Sequence, residues 1–195
     1  MLVVGGPPGS GKSTIFPVRE RGIDFFNADD IASALNQSCQ KIPPAIRAEA
    51  NRRLETFVSQ HILRGQSFAF ETTLRTHITF DQARAAHEKG FEVRLIYLAL
   101  ESVESNIERV AIRADKGGHA ASPGRIREIH AASLNNFPRA VREFDEVMAY
   151  DNTGIGQQPL LVFRSEHGEV RYISPQPPRW LVETLQSTEY DLSRE

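Results

Sequence analysis

The sequence predicts an α/β fold in which a parallel five-stranded sheet is covered by helices on both faces, with a hairpin and a helix added at the C-terminal end. Three observations lead there. Short β-branched and aromatic runs alternate with longer stretches whose apolar residues recur at helical spacing, the pattern of strands joined by helical crossovers. The first run, Leu2-Val3-Val4, passes into Gly6-Pro7-Pro8-Gly9-Ser10-Gly11-Lys12-Ser13, which fits the phosphate-loop pattern G-x-x-x-x-G-K-[ST] without a mismatch and is followed by a helical pattern. At 195 residues, 40% hydrophobic and 25% charged, the chain suits one α/β domain with a sizeable core.

Residues 2–4 read as the first strand, and the loop leads into a helix from Lys12 to about residue 21, which Pro17 shortens or kinks. Residues 22–26 form the second strand, ending at Asn27-Ala28-Asp29-Asp30, where Asp29 or Asp30 caps a helix through Ile31 and Leu35. Pro43-Pro44 opens a long helix to about residue 64. Its apolar positions Ile46, Ala50, Leu54, Phe57, Val58, Ile62 and Leu63 recur at helical spacing, and Gly65 ends it. Residues 67–71 form the third strand, 76–89 a helix closed by Gly90, and 92–100 the strongest strand signal of the chain. A helix over 102–114, a break at Lys116-Gly117-Gly118-His119 and a helix over 123–144 lead to the fifth strand at 146–150. Beyond Asp151-Asn152 the alternation stops. Residues 160–164 and 169–173 read as an antiparallel hairpin around Ser165-Glu166-His167-Gly168, and 179–186 as a terminal helix with the only tryptophan. The expected division is 1–155, with a lid around 113–127, and 156–195 as a hairpin and helix appended to the same domain.

Composition narrows the function classes. A formal charge of −2 gives no general pull toward nucleic acid or anionic membrane. Lone Cys39 forms no internal disulfide, no apolar run is long enough to span a bilayer, and the motif begins too early for a signal peptide. A cytoplasmic protein is expected.

The phosphate loop carries the first chemical expectation. Gly6, Gly9 and Gly11 let successive backbone N–H groups converge on one anion, with Pro7, Pro8, Ser10 and Thr14 completing the stretch. Lys12 reaches the β- and γ-phosphates of a nucleoside triphosphate, and the Ser13 hydroxyl takes a place on Mg²⁺. In an open parallel sheet ligands gather beyond the carboxyl ends of the strands, where Asn27-Ala28-Asp29-Asp30 and Glu71-Thr72-Thr73-Leu74-Arg75 also fall. Asp29 and Asp30 are candidates to receive the proton of an acceptor hydroxyl, and Glu71 for that role or for Mg²⁺; the alternative for either aspartate is helix capping. Arg109 and Arg113 share a helix face, and Arg125 and Arg127 follow across the glycine break. Two arginine-bearing helices joined by a hinge suit a lid that neutralises charge on a moving phosphoryl group and excludes water. The alternative is a solvated face paired with Glu104, Glu108 and Glu128.

Taken in order, Gly5 through Thr14, Asn27-Ala-Asp-Asp-Ile31, Phe70-Glu-Thr-Thr-Leu-Arg75, Gly117-Gly-His119 and Tyr150-Asp-Asn152 resemble the zeta toxin family over residues 1 to about 155. The resemblance implies the three-layer P-loop NTPase fold of the kinase type, with ATP and Mg²⁺ as cofactors. It also implies phosphorylation of a sugar-nucleotide hydroxyl, that of UDP-N-acetylglucosamine in the characterised toxins. It assigns Lys12 to the phosphates, Ser13 to the metal and Asp29 to the hydroxyl proton. Glu71 and Thr73 go to the sugar-nucleotide site, and Arg113 and Arg127 to the γ-phosphate. The chain departs from the family at Ile126-Arg127-Glu128-Ile129, where many relatives carry consecutive arginines. An antitoxin is the protein partner the family implies. Two other readings stay open. One is a nucleotide-switched binding protein with slow ATPase activity. The other is a nucleoside or nucleic-acid 5′-hydroxyl kinase, which would need a basic, aromatic-lined groove that the near-neutral charge disfavours.

Overall fold

The computed structural model of the chain describes residues 1–15, 22–154 and 156–186. The extension of the first helix through residues 16–21, with its Pro17, lies outside them. Seven strands form one sheet in the order β2-β3-β1-β4-β5-β6-β7. The parallel part comprises β1 (Leu2–Gly5), β2 (Asp24–Phe26), β3 (Phe68–Thr72), β4 (Arg94–Ala99) and β5 (Glu146–Asp151). The hairpin β6 (Leu160–Glu166) and β7 (Glu169–Ile173) continues the sheet by pairing β6 antiparallel to β5. The helices are α1 (Lys12–Ile15), α2 (Ala28–Asn36), α3 (Pro44–Arg64), α4 (Ile78–His87), α5 (Val103–Asp115), α6 (Pro123–Glu143) and α7 (Arg179–Gln186).

Strand alternation explains why the central runs are apolar throughout. Val3, Phe68 and Phe70 enter the main core, while Val4 and Ala69 are buried in a second cluster on the other face. The main core gathers Val58 of α3, Phe80 of α4, Phe137 of α6 and Trp180 of α7. Val162, Phe163, Leu181 and Leu185, from the hairpin and the terminal helix, belong to the same core. Trp180 packs against the rings of Tyr97 and Phe137 and donates from Nε1 to Asp151 Oδ2 at 2.9 Å, which ties α7 to the end of β5.

Two expectations change. Leu63 is 77% exposed, because its neighbours Val58 and Ile62 already fill the buried stripe of α3. The α2 cap is Asn27, whose Oδ1 accepts from the backbone N–H of Asp29 at 2.9 Å and of Asp30 at 3.4 Å. Asp29 and Asp30 therefore stand in the first turn, where carboxylates also suit the helix dipole.

At the amino ends of the strands Asp145 joins three segments. It accepts the Val93 N–H at 2.6 Å, lies 2.9 Å from His87 Nε2 and 3.4 Å from His167 Nδ1. Burial pushes its carboxyl up, but the Val93 and His87 hydrogen bonds, with the His87 and His167 charges, outweigh that and hold it below the usual range. A depressed carboxyl stabilises the fold above its unfolded pKa, and the contribution is lost as pH falls through the folded value. Asp145→Asn is expected to lower stability at neutral pH by about 1–3 kcal/mol. In urea unfolding series the gap to wild type should close on acidification; a gap constant from neutral pH down to acid would contradict this.

Candidate active site

The loop after β1 is shaped by what passes close to it. A side chain at Gly6, whose φ is 138°, would place Cβ 2.1 Å from the Leu98 carbonyl oxygen of β4. At Gly9, with φ 80°, Cβ would lie 2.7 Å from the Asn106 carbonyl oxygen of α5. Neither position admits another residue without moving backbone. Two buried amides hold the loop carbonyls: Asn106 Nδ2 donates to Pro8 O at 2.6 Å and Asn152 Nδ2 to Ser10 O at 2.9 Å. Asn152 is held in turn by Arg109, whose Nη2 donates to the carbonyls of Asn152 and Thr153 at 2.9 and 3.2 Å. Arg109 thus braces the loop from behind. Asn106 escaped the sequence reading, since one asparagine in a helix gives no signal; Asn152 entered only through the resemblance.

The sheet order sets three strand tips side by side. Because β3 lies between β2 and β1, with Glu71 opposite Val4 and Phe70 opposite Phe26, Glu71 stands between the β2 tip and the phosphate loop. Its Oε2 accepts from Ser13 Oγ at 2.9 Å and from Asn27 Nδ2 at 3.2 Å, while its Oε1 lies 3.8 Å from Lys12 Nζ. Lys12 is buried and donates to the carbonyls of Gly6 and Pro7 at 2.7 and 2.9 Å. Burial pushes its ammonium down, opposed by the charges of Glu71 and Asp29. A hydroxyl beside a carboxylate is a donor set suited to a hard cation, and Mg²⁺ takes few protein oxygens when it also binds phosphate. No cluster of three or more His, Cys, Asp or Glu residues able to cage a metal occurs among the described residues. The fit for nucleotide rests on the two loop positions that admit only glycine and on Ser10 Oγ and Asn106 Oδ1, which are buried there without a hydrogen-bond partner among the described residues.

A cavity of about 490 Å³ opens beside the loop. Only Pro8 of the loop lines it, so it lies next to the phosphate site rather than over it. Asn27, Asp29, Glu71, Thr72, Thr73 and Arg75 line it, as do Arg47 of α3, and Arg113 and Arg125 of the two helices flanking the glycine break. Asp30 is not in the lining, which separates the two aspartates. Asp29 pairs with Arg47 at 3.6 Å, both half exposed, an interaction of about 0–1 kcal/mol that a ligand can displace. Arg127 also lies outside the lining and points to Glu104 of α5 at 3.4 Å, whereas Arg125 lies inside it. Arg75 makes no ion pair with a described residue. Burial pushes its guanidinium down, and the positive Arg125 and Arg47 add to that against Glu128 and Asp29.

The segment between α5 and α6 docks on α2. His119 Nε2 lies 2.6 Å from Ser33 Oγ and 3.1 Å from the Asp29 carbonyl oxygen, and Arg113 Nη2 donates to His119 O at 3.4 Å. His119, which in the sequence is part of the glycine break, bonds the segment between the arginine-bearing helices to the aspartate helix.

A profile of the zeta toxin family matches residues 1–159. A Haemophilus influenzae protein of uncharacterised role is 30% identical over 116 residues, covering 58% of this chain and 80% of its own. Among solved structures, one from work on the PezAT chromosomal toxin–antitoxin system of Streptococcus pneumoniae is similar with a TM-score of 0.59 and 19% identity, covering 78% of this chain and 68% of that one. The AvrRxo1-ORF1:-ORF2 complex with ATP is similar with a TM-score of 0.69 and 16% identity; the match covers all of this chain and 65% of the neighbour. These structural likenesses show that the chain shares their fold. No described helix is long and apolar enough to cross a membrane. With the loop, the strand tips and the profile over most of its length in agreement, the chain belongs to the zeta toxin family and is a phosphotransferase of the P-loop kinase type.

Proposed function

We propose that this protein transfers the γ-phosphoryl group of ATP to a hydroxyl of a small molecule, a sugar nucleotide such as UDP-N-acetylglucosamine. The observation that carries the proposal is the cavity lined by Pro8 of the phosphate loop and by Glu71, the carboxylate that contacts the loop, with Asp29 open to whatever fills it. Lys12 and the loop N–H groups hold the triphosphate. Ser13 and Glu71 would hold Mg²⁺, which supplies neutralising charge at the phosphate oxygens. Asp29 accepts the hydroxyl proton as the acceptor oxygen bonds to the γ-phosphorus; the bond to the β–γ bridging oxygen breaks, ADP departs, and the proton passes to solvent. Arg113 and Arg125, which line the cavity, offset the charge of the moving group, and Arg127 joins them where nucleotide displaces its exposed pairing with Glu104. An anionic acceptor suits Arg47, Arg75 and Arg125, three guanidinium groups around one cavity. An antitoxin is proposed as protein partner on the likeness to the pneumococcal system.

Incubation with labelled ATP and sugar nucleotides, nucleosides and oligonucleotides tests this. Wild type is expected to label a sugar nucleotide, and Lys12→Ala to label nothing. Asp29→Asn should bind ATP as wild type does and lose transfer by at least ~100-fold. Label passing only to water would sink the kinase reading, and normal turnover by Asp29→Asn would remove Asp29 from the chemistry.

Arg75→Met should raise the acceptor KM about tenfold with the ATP KM unchanged. Equal KM values for acceptor in both proteins would contradict an anion-binding role for Arg75.

A further inference from the structure

Four described residues other than glycine adopt a left-handed backbone: Gln37, Lys41, Leu74 and His167. Three of them are exposed, with Gln37 closing α2 and His167 in the hairpin turn. Leu74, with φ 55°, is wholly buried. Its side chain enters the main core beside β1, where a Cβ on Gly5 would lie 3.9 Å from the Leu74 Cβ. A bulky residue in this region stores backbone strain and persists only where its surroundings over-determine it. Here two side chains take both polar groups of its backbone. Thr72 Oγ1 accepts the Leu74 N–H at 3.1 Å, and Asn136 Nδ2 donates to the Leu74 carbonyl oxygen at 2.9 Å.

With Leu74 drawn into the core, its neighbours Thr73 and Arg75 both line the cavity. Arg47 and Arg125 line it as well, and like charge works to drive Arg75 out until an anion arrives. A fixed backbone at Leu74 opposes that drift. Asn136 belongs to α6, two turns beyond Ile129 and three beyond Arg125. One face of that helix therefore meets the cavity near its start and the turn after β3 further along. We infer that Asn136 is a positioning residue: by holding the Leu74 carbonyl it keeps this turn in its left-handed form and keeps Arg75 at the acceptor. The inference rests on the reading of Arg75 as an anion-binding residue given above and adds the group that places it.

Two variants remove the donor in opposite ways: Asn136→Asp keeps the shape but only accepts, and Asn136→Leu is apolar. With ATP saturating and UDP-N-acetylglucosamine varied, each is expected to raise the acceptor KM about three- to tenfold. The ATP KM should stay within about twofold of wild type. Adding Asn136→Asp to Arg75→Met should cost no more than about twofold beyond Arg75→Met alone, since both act at one guanidinium. Amide exchange followed by NMR reads the turn without any acceptor. The Leu74 N–H should exchange about tenfold faster in both variants, with the Tyr97 N–H of β4 unchanged. An unchanged Leu74 rate, an acceptor KM left at the wild-type value while Arg75→Met raises it, or equal rises in both KM values would overturn the inference. Should Arg75→Met itself leave the acceptor KM unchanged, the anion-binding reading of Arg75 fails, and the Leu74 exchange rate still decides whether Asn136 holds the turn.

Discussion

The Glu71 carboxylate faces donors from two segments: Ser13 Oγ and the Lys12 ammonium from the loop, and Asn27 Nδ2 from the tip of β2. Its side chain is 13% exposed and that of Lys12 is 6% exposed. Charges so deep are tolerable only in company, and removing one partner of such a pair costs about 3–5 kcal/mol. The short contacts of Lys12 are to loop carbonyls, so Glu71 supplies counter-charge rather than the main hydrogen bonds. The arrangement follows from strand order. With β3 inserted between β2 and β1, a side chain near the carboxyl end of β3 answers to both neighbours.

Behind the loop a second set of contacts keeps it in shape. Asn106 and Asn152 take the carbonyls of Pro8 and Ser10, Arg109 holds the backbone at Asn152, and Trp180 reaches Asp151 from the terminal helix. The C-terminal helix is thereby linked to the nucleotide side of the molecule through one strand end. On the other side His119 bonds the helix that carries Asp29. The His119 imidazole thus joins the segment between the arginine-bearing helices to the helix that carries the candidate base.

Much of the site was legible because its chemistry needs particular residue types at fixed spacing. The loop pattern, the polar groups at strand tips and the hairpin turn are of that kind. Ambiguity survived where several residues suit one role. Asn and Asp cap helices equally well, so Asn27 and the two aspartates competed, and only the placed Asn27 side chain decides. Arg109 and Arg113 share a helix face, yet one turn of rise carries the first to the end of β5 and leaves the second at the cavity. Arg125 and Arg127, two apart, must face different ways on a helix, and the sequence does not say which faces in. Asn106 carries no motif at all. Its role comes from a long-range hydrogen bond to Pro8 O, which exists only once the chain is folded.

The central claim is that an acceptor hydroxyl beside Asp29 receives the phosphoryl group held at the loop. Phosphorus NMR of the wild-type protein with ATP, Mg²⁺ and UDP-N-acetylglucosamine tests it most directly. The account predicts a new phosphomonoester resonance coupled to a sugar proton, growing as ADP appears. ADP appearing with inorganic phosphate alone would contradict it.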